Sequence, residues 1–353
     1  MGKRRILIFT ICFLLLLLAA FFSNYKLQKS DVQPEKISLR QDLPLDKISS
    51  KLDFAVSFII KEYKQNEIFE TFICSEDSSN CKMVPFSFFI SEAILNSILE
   101  IKQNDMLDEI IKKEVVRTLS CQNEHLLWDF YCKKSSQEEF YYPDLDSTSL
   151  ASWFLFSQKT EHRLDEIKEQ MRKTQFHNGA LLTFLRDFQP QPHAMNQDPV
   201  ANANALVLLS EEIPSVCEFV NKNFDKSIYY TDAVVVFYML SKAYSKGAKC
   251  IKPALSALHK KIKSSDLLKD DAPMHLSMFV TALIKSGGDI DEGELGSAAE
   301  LLLDNTKELP FREHFFQTGL NKKRDFYYSP AFSAAVYAEA LTNIKNYYSE
   351  ASE

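Results

Sequence analysis

The chain has 353 residues, 46% of them hydrophobic and 25% charged, which is enough apolar material for a large core and excludes a disordered protein. It contains only 8 glycines, too few for a propeller or a Gly-rich phosphate-binding fold, so the composition points to helices. Lys and Arg number 41 against 48 Asp and Glu, and the resulting net charge of -7 disfavours binding through nucleic-acid phosphates.

Lys3, Arg4 and Arg5 precede an uncharged run of 17 residues from Ile6 to Phe22, at the short end of the length that crosses a bilayer. Residues 1–23 therefore read as an export signal, retained as a membrane anchor, with the positive charges left in the cytoplasm. Everything beyond is expected on the periplasmic or extracellular side, and secreted if the segment is cleaved. Residues 24–51 are polar, carry Pro34 and Pro44, and read as a tether. The folded domain is expected over 52–350.

Within that domain a turn that is often aromatic, acidic or Pro-containing opens a helix that is apolar nearly all round, and this happens six times. Taking Pro85, Asp144, Pro199, Asp232, Pro273 and Pro330 as markers, the steps are 59, 55, 33, 41 and 57 residues. Amphipathic, charged helices lie between them, such as those from His162 and from Ser256. Helices apolar on all sides must be enclosed, and those with one charged face must lie outside. Six such pairs predict an all-α domain, an (α/α)6 toroid of six helical hairpins. The alternative is an open solenoid, which would need polar capping helices. His177-Asn178-Gly179 reads as a turn, with Gly179 supplying a positive φ.

Cys12 lies in the apolar run, which leaves Cys74, Cys81, Cys121, Cys132, Cys217 and Cys250 in the exported part. Their spacing suggests sequential disulfides, Cys74–Cys81, Cys121–Cys132 and Cys217–Cys250. The last pair spans 33 residues, close to one repeat step, so both thiols should meet at one end of adjacent units. No spacing suits a structural zinc site, and no metal or cofactor is expected.

The segment Pro143-Asp144-Leu145-Asp146-Ser147-Thr148-Ser149 resembles the D-x-D-[DT]-T acid motif of class II terpenoid cyclases. Together with Asp198-Pro199-Val200-Ala201-Asn202 in a later helix, the chain resembles the prenyltransferase and squalene-cyclase repeat superfamily from about Met83 to Ile344. That resemblance implies an α/α toroid with Asp146 as an acid that protonates an alkene and Asp144 as its helper.

If all inner helices point the same way, their N-terminal turns gather at one mouth. Asn202, Asp232 and His275 then join the two acids as candidate ligand-binding residues, with Tyr142, Tyr230, Tyr328 and Trp153 as aromatic walls. The expected ligand is an isoprenoid, a lipid or a glycan, with the membrane as a further partner through the N-terminal helix and no nucleic acid. The same residues also fit plain structural work: Asp144 and Asp198 suit helix N-caps, and the tyrosines suit packing. Two alternatives stay open, a non-catalytic binding or scaffold toroid and a glycan-active enzyme using Asp146 with Asp232.

Overall fold

The computed structural model describes residues 43–75, 80–84, 87–101, 104–132, 143–160, 162–185, 197–230, 232–263, 272–287, 291–318 and 325–350. The expected anchor, Cys12, nearly all of the expected tether before residue 43, and Tyr142 lie outside the described residues. Among the described residues no helix is long and apolar enough to cross a membrane.

The chain opens with α1 (Leu45–Asn66), which begins inside the stretch that reads as tether. Its buried residues Ile48, Ala55, Val56, Ile59 and Tyr63 recur at helical spacing, but they are too sparse to stand out from the charged residues around them. Five further helices of this outer type follow: α3 (Asp105–Ser120), α5 (Leu164–Arg172), α7 (Pro214–Asn223), α9 (Lys252–Lys263) and α11 (Glu292–Asp304). Each buries a narrow stripe; α5 buries only Ile167 and Met171.

Alternating with them are α2 (Phe88–Ile98), α4 (Leu145–Ser157), α6 (Pro199–Leu209), α8 (Ala233–Ser245), α10 (Pro273–Lys285) and α12 (Pro330–Glu350). Every residue of α2 and α6 is buried, so these helices are enclosed on all sides. Local chemistry fixes their starts. Ser87, Asp144, Asp198 and Asp232 accept hydrogen bonds from the free N–H groups of α2, α4, α6 and α8, while Pro199 and Pro273 occupy first-turn positions that need no donor. Five of the six sequence markers lie at these starts, and α2 begins three residues after Pro85.

Successive inner helices pack side by side, and α12 packs back on α2, which closes the ring. The outer helix α1 covers α12, and α7, α9 and α11 cover α6, α8 and α10. This is the alternating toroid that the repeat pattern predicts, and the closed ring leaves no end for a solenoid to cap. The fold is not purely helical, however. Strands β1 (Thr71–Cys74), β2 (Cys81–Val84), β3 (Phe316–Thr318) and β4 (Asp325–Tyr328) form an antiparallel sheet in the order β2-β1-β4-β3, with Phe72 opposite Tyr328. Strands of three or four residues show no usable alternation, and the central pair joins distant parts of the chain, so local sequence carries no sign of it. The His177-Asn178-Gly179 turn is present: Gly179 has φ +84°, and a Cβ there would lie 2.1 Å from that of Ser215.

All three expected disulfides are formed. Cys74–Cys81 staples β1 to β2, Cys121–Cys132 ties down the end of α3, and Cys217–Cys250 joins α7 to the short 3-10 turn Lys249–Ile251 ahead of α9. They point to an oxidising environment, extracellular or periplasmic. Protein prepared without reductant should be lighter by six hydrogen masses than its reduced form. Opening the bridge across the 33-residue separation should cost about 3 to 4 kcal/mol, read as a fall in the denaturation midpoint. An unchanged midpoint would mean that this staple contributes nothing.

Candidate functional site

The N-terminal ends of the inner helices gather at one end of the ring, as short bridges between the segments leading into them show: Ser87 pairs with Tyr131, Asp144 with Phe184, and Tyr230 with Phe316. This end is not an open mouth. Phe316 lies among Phe89 (4.7 Å between ring centroids), Phe130 (5.4 Å), Tyr229 (5.9 Å), Tyr230 (5.6 Å) and Tyr327 (5.6 Å). Such pairs are each worth roughly 0.5 to 1.5 kcal/mol beyond area burial, so together they seal this end by packing. The expectation of a ligand mouth here is corrected on that ground. Tyr328 is buried on β4 with its ring 6.0 Å from Phe72, part of the same seal.

Beneath the seal lies a group of buried carboxyls. Asp144 caps α4, its Oδ1 accepting from the Ser147 N–H at 2.7 Å, while its Oδ2 is buried without a partner. Burial pushes its pKa up to about 8, against the Ser147 bonds, with a further rise from the charges of Asp146 and Asp129. Asp146 accepts the Asn204 amide at 2.7 Å on Oδ1 and the Tyr230 hydroxyl on Oδ2. Burial raises it to about 7, opposed by those two bonds and assisted by the charge of Asp198. Asp198 caps α6 and also accepts the Ser227 hydroxyl at 2.6 Å; burial raises its pKa too.

A carboxyl whose folded pKa lies above its unfolded value of 3.8 keeps a proton that the unfolded chain has released. Between about pH 4 and about pH 8 the folded state therefore binds more protons through these groups, and stability falls as pH rises. The melting temperature should be higher at pH 5 than at pH 8. Asp144→Asn keeps a good N-cap and removes one titration, so it should flatten that slope. A slope of the opposite sign would show that these acids are ionised throughout.

The other expected site residues are dispersed. Both polar ends of the Asn202 side chain bond the backbone of Leu181, at 2.8 and 3.0 Å, which pins a loop to α6. Asp232 caps α8 and lies 3.2 Å from His275 Nε2, both side chains a quarter exposed. Tyr230 meets Asp146, and Trp153 sits farther down the ring.

Where the seal ends, a cavity begins. It encloses about 450 Å³, solvent at its mouth included, and is lined mainly by the middle and C-terminal parts of α2, α4, α6 and α8. Ser149, Asn204 and Phe332 form its inner end, Leu150, Val207 and Met239 its walls, and Trp153 and Lys246 lie toward the C-terminal ends of their helices. Ser149 and Leu150 are three and four residues past Asp146, so the acid stands one helical turn above the floor, with Asn204 reaching both. Sequence reasoning chose Asn202 and missed Asn204. Two positions apart on a helix point to opposite faces, and only the second faces the ring interior.

The fold and the buried acids define a closed (α/α)6-type toroid with one interior cavity. No family model matches the chain, and no curated protein matches it by sequence. Among solved structures it is similar to a type II terpene cyclase from Scytonema, in complex with its substrate geranylgeranyl dihydroxybenzoate. The TM-score is 0.61 at 10% identity, over 86% of this chain and 98% of the other. It is also similar to an unsaturated glucuronyl hydrolase specific for heparin, with a TM-score of 0.54 at 12% identity, over 87% of this chain and 98% of that one. At such identities the likeness establishes the fold and leaves the chemistry to the site.

Proposed function

We propose that this is an exported toroid that binds a small isoprenoid or lipid in its central cavity and protonates it from Asp146. The supporting observation is the position of that carboxyl: buried, held near neutral pKa, and linked through Asn204 to the floor of a largely apolar cavity. Burial keeps the proton on the acid in the resting state. When the proton moves to an alkene carbon, the new carboxylate already has the Asn204 amide and the Tyr230 hydroxyl as donors, so its charge is stabilised without rearrangement. The terpene cyclase likeness agrees with an isoprenoid ligand.

The packed N-terminal half of the ring favours one other reading, a binding toroid without turnover. A glycan-active reading has less support, because Asp146 lies below the aromatic seal while Asp232 is committed to a cap and to His275. Binding itself is tested by tryptophan fluorescence, since Trp153 lines the cavity and Trp128 is fully buried in the core. Adding farnesol should produce a saturable change that Trp153→Phe abolishes. No change with the wild-type chain would contradict an apolar-ligand site.

A further inference from the structure

The far end of the ring carries a second polar cluster, which has no part in the chemistry at Asp146. Lys242 on α8 donates across the ring to Ser97 Oγ (3.1 Å) and the Asn96 carbonyl (3.3 Å) on α2, and to Glu339 Oε2 (2.9 Å) on α12. Lys285 on α10 meets Glu100 at 3.1 Å and stands 3.9 Å from the other oxygen of Glu339. Lys246, one turn beyond Lys242, has a different setting. Its Nζ meets Asn96 Oδ1 at 3.0 Å and lies 4.9 Å from the centre of the Trp153 ring, and no carboxylate of the described residues is within 4 Å. Asn96 is held by donating to the carbonyls of Glu92 (2.8 Å) and Leu150 (3.3 Å), so its oxygen stays turned to the lysine.

Three ammonium groups thus face two carboxylates, and the positive charge left over belongs to the lysine on the cavity wall. We propose that the cavity takes an amphiphilic carboxylate, with the carboxylate on Lys246 and the apolar tail along Leu150, Val207 and Met239 toward Phe332. This rests on the apolar-ligand reading above and adds the ligand's head group to it. An ammonium has three donors, and Asn96 uses one. A carboxylate taking the others would complete a charge-assisted pair in a site with few competing waters, and would relieve the repulsion between Lys242 and Lys246. Burial first, then the Lys242 charge, pulls the Lys246 amine down to about 7, opposed by Glu100 and Glu339, with Lys285 pulling down as well. A bound anion favours the ammonium, so binding should draw in a proton near pH 8.

Geranic acid and geraniol share one skeleton and differ in charge, so calorimetric titration with each tests the proposal. At pH 7 the acid should bind at least about tenfold more tightly than the alcohol. Lys246→Met should remove that preference and Lys246→Arg should keep most of it. The affinity for the acid should fall from pH 7 to pH 9, and that for the alcohol should not. If the two bind equally, or if Lys246→Met keeps the preference, the carboxylate proposal is overturned while the apolar cavity stands. If neither binds, the ligand reading itself fails and this proposal fails with it.

Discussion

Lys242→Met should be the most destabilising single change away from the aromatic seal. The ammonium is 9% exposed and Glu339 is not exposed at all, so the pair is buried and bonded through Ser97, Tyr238 and the Asn96 carbonyl. Removing the lysine leaves Glu339 Oε2 with the Tyr238 hydroxyl at 2.6 Å, while Lys285 stays 3.9 Å from Oε1. Breaking such a pair by deleting one partner costs about 3 to 5 kcal/mol, because a buried charge is left without compensation. Methionine fills similar space, so a cavity adds little to that cost. The variant should melt roughly 10 °C lower, judged by the usual shift per kcal/mol in large domains. Lys242→Met with Glu339→Gln removes both charges and should recover most of the loss. If the double variant were as unstable as the sum of the singles, the network would be packing without electrostatic coupling.

Asp146→Asn should have the largest effect on activity, a loss of about a hundred- to ten-thousandfold in any isoprenoid turnover, the range for removal of a general acid. The amide has nearly the same size and keeps an oxygen for Asn204 or Tyr230, so the cavity should still give the farnesol fluorescence response. Stability at pH 8 should hold or rise, since the wild-type carboxyl is destabilised there by ionising in a buried site. A variant with clearly lower stability and unchanged turnover would assign Asp146 to the helix start alone.

The six enclosed helices were legible in the sequence because each is apolar all round and opens on an acid, a serine or a proline, a local code that needs no tertiary knowledge. The disulfides were legible for a related reason, as their spacing follows the chain and the repeat. The sheet was not, because β1 and β4 find each other only after the ring has closed. The site was half legible. The spacing of Asp144 and Asp146 marked the buried acids, but Asn202 and Asn204 look alike in the sequence, and only the turn of α6 decides that one clamps Leu181 and the other faces Asp146. The expected mouth was misplaced because clustered tyrosines can line a pocket or fill it, and here Phe316, from a distant strand, fills it. Lys242 and Lys246 carried a readable sign, two cations one turn apart at the end of an apolar helix, whose partners on α2 and α12 only the ring brings near.

The most direct test of proton transfer from Asp146 is incubation of the oxidised protein in deuterium oxide with geraniol, farnesol and geranylgeraniol or their acids, followed by mass analysis of what is recovered. An acid that exchanges with solvent and then protonates an alkene leaves one deuterium on a carbon of the product. The account predicts a cyclised or isomerised product carrying that deuterium from the wild-type chain, and none from Asp146→Asn. Recovery of every isoprenoid unchanged and free of deuterium, from a protein that binds it, would contradict the proton donor and leave a toroid that only binds.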